Sequence, residues 1–98
     1  MKIEWSETAL GRVDEIVHFI AADDPEAATR WATELFTAVE RLADFPGSGR
    51  VVPEIDDPAI REILYGSYRV LYQLGDSVQI LTVRHSGQLL REDEALAR

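Results

Sequence analysis

Residues 60–85, IREILYGSYRVLYQLGDSVQILTVRH, decide the fold. Three runs rich in β-branched and aromatic residues, Ile60 to Tyr65, Tyr68 to Leu74 and Ser77 to His85, are separated only by Gly66-Ser67 and Gly75-Asp76. Two-residue turns containing glycine between such runs are hairpin signals, because glycine reaches the positive-φ backbone that a tight turn demands. The stretch predicts a three-stranded antiparallel meander. Alternation along each strand sets Arg69 on the face opposite Tyr68, Val70 and Tyr72, and Arg84 opposite His85.

Upstream of the meander the apolar period changes from two to three and four. Leu10, Val13, Ile16, Val17 and Ile20 form one stripe, with Arg12, Asp14, Glu15 and His18 on the other side, which predicts an amphipathic helix entered through the N-cap Ser6. Asp23-Asp24-Pro25-Glu26 is a second start signal, with an acidic cap, proline in the first turn and negative charge at the positive end of the dipole. The second stripe, Ala28, Trp31, Ala32, Leu35, Val39 and Leu42 widened by Phe36 and Ala43, runs to Phe45-Pro46-Gly47. So short a link makes the helices an antiparallel hairpin. Lys2 to Trp5 alternates and reads as a short strand. Residues 46–58 hold three of the four prolines and two glycines, and read as an irregular loop. Residues 89–98 read as a short helix or a frayed tail.

The order is therefore strand, helix, helix, loop and three strands. It implies a single α+β domain over residues 1–98, with the hairpin covering one face of a mainly antiparallel sheet and the other face open. A chain of 98 residues buries somewhat over 60% of its unfolded surface, which suffices for one two-layer core.

Composition narrows the function classes. Ten Lys and Arg against eighteen Asp and Glu leave a net charge of −8, a field that repels polyanions and argues against indiscriminate binding to nucleic acid or anionic membranes. The charge is unevenly spread. Residues 1–60 hold five basic and thirteen acidic residues, whereas residues 61–91 hold four arginines and two acids. The acid lies on the helices and the arginine on the strands. There is no cysteine, which excludes disulfides and thiolate chemistry. No apolar run reaches the length of a membrane span, and the amino terminus has no secretory pattern, so a cytoplasmic location is expected.

Glu54, Arg61, Arg69 and His85, with Glu62 and Arg84 nearby in sequence, are the residue types an RNA-cleaving site needs: a base for the 2′-hydroxyl, cations for the phosphate and an acid for the leaving oxygen. His18, beside Asp14 and Glu15, reads as solvated. Gly47-Ser48-Gly49-Arg50 lacks the spacing of a phosphate loop. The two histidines lie on different elements, so neither a metal nor another cofactor is expected.

Several pieces in order carry a family resemblance: Trp5 followed by Ala9-Leu10; Ile20-Ala21, Asp24-Pro25 and Ala27-Ala28; Leu42 to Pro46; Gly49-Arg50-Val51-Val52-Pro53-Glu54; Arg61-Glu62; Tyr68-Arg69-Val70-Leu71-Tyr72; and Val83-Arg84-His85. Together they resemble the RelE/ParE superfamily of toxins from bacterial type II toxin–antitoxin modules, from Trp5 to about Leu90. The resemblance implies a β-αα-βββ fold and a cognate antitoxin that wraps the hairpin and a sheet edge, for which Leu35, Val39, Arg61 and Arg69 are the expected contacts. It implies DNA binding only through that antitoxin. Two activities occur in the superfamily, RelE-like ribosome-dependent mRNA cleavage and ParE-like poisoning of DNA gyrase without nuclease chemistry. The −8 charge is poor for ribosomal docking, and Gln88 stands where RelE-like sequences place an arginine after His85. Both features favour the ParE-like branch, with mRNA cleavage or a non-toxic binding module as the alternatives.

Overall fold

The computed structural model describes residues 1–87. The expectation for residues 89–98 lies outside them, as does Gln88. The elements are β1 (Ile3–Trp5), α1 (Glu7–Ala21), α2 (Pro25–Glu40) continued by a 3₁₀ turn (Arg41–Ala43), β2 (Arg50–Val51), β3 (Ile60–Tyr65), β4 (Tyr68–Leu74) and β5 (Val78–His85). The sheet order is β1-β5-β4-β3-β2, with β1 parallel to β5 and every other pair antiparallel. The helical hairpin is the crossover from β1 toward the meander, so the α+β architecture is as expected.

Local chemistry explains both helix starts. The Ser6 hydroxyl accepts from the Ala9 amide at 3.0 Å and donates to the Leu81 carbonyl at 3.0 Å, which caps α1 and ties its first turn to β5. The Asp24 carboxylate accepts from the Glu26 and Ala27 amides at 3.1 Å, with Pro25 in the first turn of α2. Each helix then buries its stripe. Ala9, Val13, Leu35, Val39 and Leu42 pack on Val70, Tyr72, Val78, Ile80 and Val83 of β4 and β5. Leu10 departs from the expected stripe and is exposed on its flank. Phe36 is also partly exposed, but its ring lies 4.9 Å from that of Trp5.

The open face expected beyond the sheet is partly closed. Val52, Ile60, Leu71 and Leu81 are buried together there, with Ile55 packed against them. The loop supplies the lid: β2 pairs Arg50 with Glu62 and Val51 with Arg61, and the chain then turns Val52 and Ile55 over the sheet. A bulge in β5 assists. Leu71 faces Thr82 and Tyr72 faces Ile80, so Leu81 is an extra residue, and the break in alternation lets Leu81 join the second core. The apolar run Val70-Leu71-Tyr72 and the run Ile80-Leu81-Thr82-Val83, broken only by the buried hydroxyl of Thr82, are the sequence mark of strands buried on both faces.

Candidate functional site

On the far face, β3 and β4 point Glu62 and Arg69 away from the helices, next to the lid. Arg50 Nε donates to Glu62 Oε2 at 2.6 Å, and Arg69 Nε donates to Glu62 Oε1 at 2.6 Å. The two remaining arms of Arg69 donate to Glu54, Nη1 to Oε2 at 2.7 Å and Nη2 to Oε1 at 2.8 Å. The result is a chain of alternating charge, Arg50–Glu62–Arg69–Glu54. The Glu62 side chain is completely buried, that of Arg69 is 6% exposed and that of Glu54 is 29% exposed. The guanidinium of Arg69 is held in its charged form, with a pKa raised above the arginine range. The Glu54 hydrogen bonds are the largest cause and those of Glu62 add to it, against an opposing desolvation effect. The buried Arg69–Glu62 contact and the part-buried contacts on either side of it satisfy one another, and two arginines against two carboxylates leave no net charge in the chain.

Of the four residues read as catalytic candidates, only Glu54 and Arg69 come together, and they do so as ion-pair partners. Arg61 lies on the other face of β3. Its Nε donates to the Pro58 carbonyl at 3.0 Å and its Nη1 to the Gly49 carbonyl at 3.0 Å, so it clamps both ends of the loop. His85 also sits on the helix side, edge-on to Tyr68 at 5.5 Å between ring centroids. The four therefore do not form one acid–base constellation. Strand parity anticipated the separation of Arg84 from His85, and the register pairs Arg69 with Arg84 and Tyr68 with His85.

A second polar knot seats the loop. The Tyr72 hydroxyl donates to the Pro46 carbonyl at 2.7 Å and accepts from the Gly49 amide at 3.0 Å. Burial pushes the Tyr72 phenol above its ordinary pKa, while the Gly49 amide and the charge of Arg61 oppose this. A Cβ on residue 49 would stand 2.5 Å from the Tyr72 hydroxyl and 2.7 Å from the Glu62 carbonyl, so only glycine fits this approach.

Of the antitoxin contacts that the resemblance implies, three are placed inside the fold. Leu35 and Val39 are 0% and 1% exposed, because they fasten α2 to the sheet. Arg69 is likewise turned inward. The accessible surface lies beside them, where β2 covers β3 only at Arg61 and Glu62, leaving the outer edge of Ile63–Tyr65 without a neighbouring strand among the described residues. A groove of about 400 Å³ runs there between Ala38, Arg41 and Leu42 on one side and Ile63 and Leu64 on the other, and Leu64 is 59% exposed. Sequence reasoning missed this groove, gave Arg50 no role in a site, and named Glu62 only as a neighbour of the candidate residues. A lone acid between apolar strand positions, with arginines on both neighbouring strands, was the available signal for Glu62. Among the described residues no group of three His, Cys, Asp or Glu side chains could hold a metal ion, and no helix is long and apolar enough to cross a membrane.

The helical hairpin packed on one face of a five-stranded sheet is a fold shared with a solved structure. A chain of the chromosomal ParDE toxin–antitoxin system from P. aeruginosa superposes with a TM-score of 0.72 over 87% of this chain and 95% of that one, at 21% identity. Y4kP of Sinorhizobium fredii, a protein named as a toxin, is 38% identical over 89 residues, covering 89% of this chain and 90% of that protein. Toxin RelE2 of Caulobacter vibrioides is 31% identical over 90 residues, covering 90% and 98%. The model of the ParE toxin of type II toxin–antitoxin systems, parDE, matches residues 3–90, and the chain belongs to that family.

Proposed function

We propose that this toxin inhibits growth by protein–protein contact, with DNA gyrase as its target, and that a cognate antitoxin neutralises it. One observation carries the non-enzymatic reading: Arg69, the arginine best placed on the far face, spends its donors on Glu54 and Glu62, whose carboxylates are occupied in return. A nuclease needs such groups aimed at a substrate, with a base and an acid converging on the same phosphate. Here His85 and Arg61 stand on the other side of the sheet. The −8 charge adds to this, because docking on ribosomal RNA meets long-range repulsion.

The antitoxin engages the protein at two surfaces of different character. The open edge of Ile63–Tyr65 and the adjoining groove suit an extended segment with apolar side chains. The hairpin, residues 7–40, carries eight acids and two arginines and suits a basic segment. Purified toxin incubated with gyrase and supercoiled DNA is expected to block supercoiling and to trap cleaved DNA, in a manner reversed by the antitoxin. Untouched gyrase, together with new mRNA ends after expression, would overturn this in favour of mRNA cleavage.

A further inference from the structure

Where α1 crosses the end of the sheet, Arg12 and Glu15 face Tyr68, Arg84 and His85 across a cleft of about 210 Å³. The cleft sets Arg12 and His85 against a single carboxylate, Glu15, while Arg84, whose side chain the register turns to the opposite face from His85, borders it from the strand. It is separate from the far-face charge chain and from the groove beside β3. Three features describe what it can hold.

The Nε of Arg12 is buried and has no hydrogen-bond partner, while its Nη1 makes only a 3.4 Å contact with the exposed Glu15. A buried donor left unmatched is costly, and native structures seldom leave one without a reason. The Nδ1 of His85 accepts the Gly87 amide at 3.1 Å, so the neutral ring carries its proton on Nε2, as a second donor. The edge-on contact with Tyr68, at 80° between the ring planes, fixes the attitude of that imidazole.

The geometry points to a binding site in this cleft for a small phosphate-class anion, either orthophosphate or the phosphate of a monoester. Donors come from a helix on one side and a strand end on the other, which matches the tetrahedrally disposed oxygens of phosphate better than the two coplanar oxygens of a carboxylate. The cleft is smaller than the roughly 300–1,000 Å³ of sites that enclose whole metabolites, so it takes the phosphate and little else. The net charge of −8 disfavours a polynucleotide lying across the surface and leaves a single small anion as the fitting occupant. The site stands independently of the gyrase reading.

The test is titration of the full chain with inorganic phosphate, and in parallel with a nucleoside 5′-monophosphate, at constant ionic strength, observing the Arg12 Nε–H and His85 ring resonances by NMR. Saturable shifts confined to these groups are expected. Tighter binding of the nucleotide assigns the site to esters, and equal or weaker binding assigns it to free phosphate. Arg12→Gln should weaken binding about tenfold or more, since a hydrogen bond to a charged partner is lost. Glu15→Gln, which removes the competing carboxylate, should tighten it several-fold. No saturable shift, shifts unchanged in folded Arg12→Gln, or weaker binding by Glu15→Gln would each overturn the assignment. The opposite signs of the two variants distinguish a site from a general loss of structure.

Discussion

Arg69 and Glu54, fifteen residues apart in sequence, meet in a two-point ion pair at 2.7 and 2.8 Å that fastens the proline-rich loop to the sheet. The third arm of the same arginine reaches the fully buried Glu62. The far face is thereby closed by charge as well as by the apolar contacts of Val52 and Ile55.

Removing one member of a buried ion pair strands its partners in low dielectric. Arg69→Ala is expected to cost about 3–5 kcal/mol, because it leaves Glu62 buried and Glu54 half-covered without their shared cation. Glu54→Gln should cost less, since its carboxylate is partly solvated. Urea unfolding of both variants and the double mutant checks the ranking, and equal costs would contradict the geometry.

Gly49→Ala drives a methyl group against the Tyr72 hydroxyl and the Glu62 carbonyl. Overpacking of this kind costs roughly 1–3 kcal/mol. Adding Tyr72→Phe should recover part of the loss by removing the nearest obstacle, while the ring carbon at 2.8 Å and the backbone carbonyl at 2.7 Å remain. Thermal unfolding of the two single mutants and the double mutant measures the coupling.

The phenols of Tyr65 and Tyr72 are both raised above the ordinary value of 10.0. Burial is the chief cause in each, with Glu34 adding to it at Tyr65. Above that value the unfolded chain releases these protons while the folded chain still holds them, so stability is intact at lower pH and falls as pH rises through the folded pKa values. Chemical denaturation midpoints across this alkaline range should decline, and Tyr72→Phe should decline less steeply than the parent.

Fold and partner surfaces should separate by mutation. Leu35→Ala, deep under α2, is expected to lose about 2–5 kcal/mol of stability. Leu64→Lys, on the exposed rim of the groove, should stay within about 0.5 kcal/mol of the parent yet weaken antitoxin binding. Calorimetric titration beside unfolding curves checks the pair, and unchanged antitoxin affinity in Leu64→Lys would remove the groove from the interface.

The hairpin should govern association kinetics. Exchanging Asp23 and Glu26 for amides leaves the Asp24 cap in place, and it should slow antitoxin association and flatten its dependence on salt. Stopped-flow association at two ionic strengths reads this directly.

Much of the fold was legible because its signals are local. The period-two runs on either side of Gly66-Ser67 and Gly75-Asp76, the three-and-four spacing from Val13 to Ile20, and the caps Ser6 and Asp24 depend only on near neighbours in the chain. The lid was not legible. Val52 and Ile55 belong to a stretch rich in proline and glycine, and their burial depends on Ile60, Leu71 and Leu81 arriving from three strands.

The sequence by itself determined four of the five strands, the hairpin, their order along the chain and the division of charge between helices and sheet, since periodicity, capping and composition act over a few residues, whereas β2, two residues inside the proline-rich loop, exists only through its pairing with β3. Tertiary structure alone decided what the charged residues do. Glu54, Glu62 and Arg69 look like a reactive set on paper, yet strand register brings them within hydrogen-bonding distance of one another, and ions that neutralise each other in a covered site hold a loop in place. Pairing across the sheet also set Arg61 and His85 on the far side from them. Which partner a charge meets depends on contacts between segments distant in sequence, and only the folded chain specifies those.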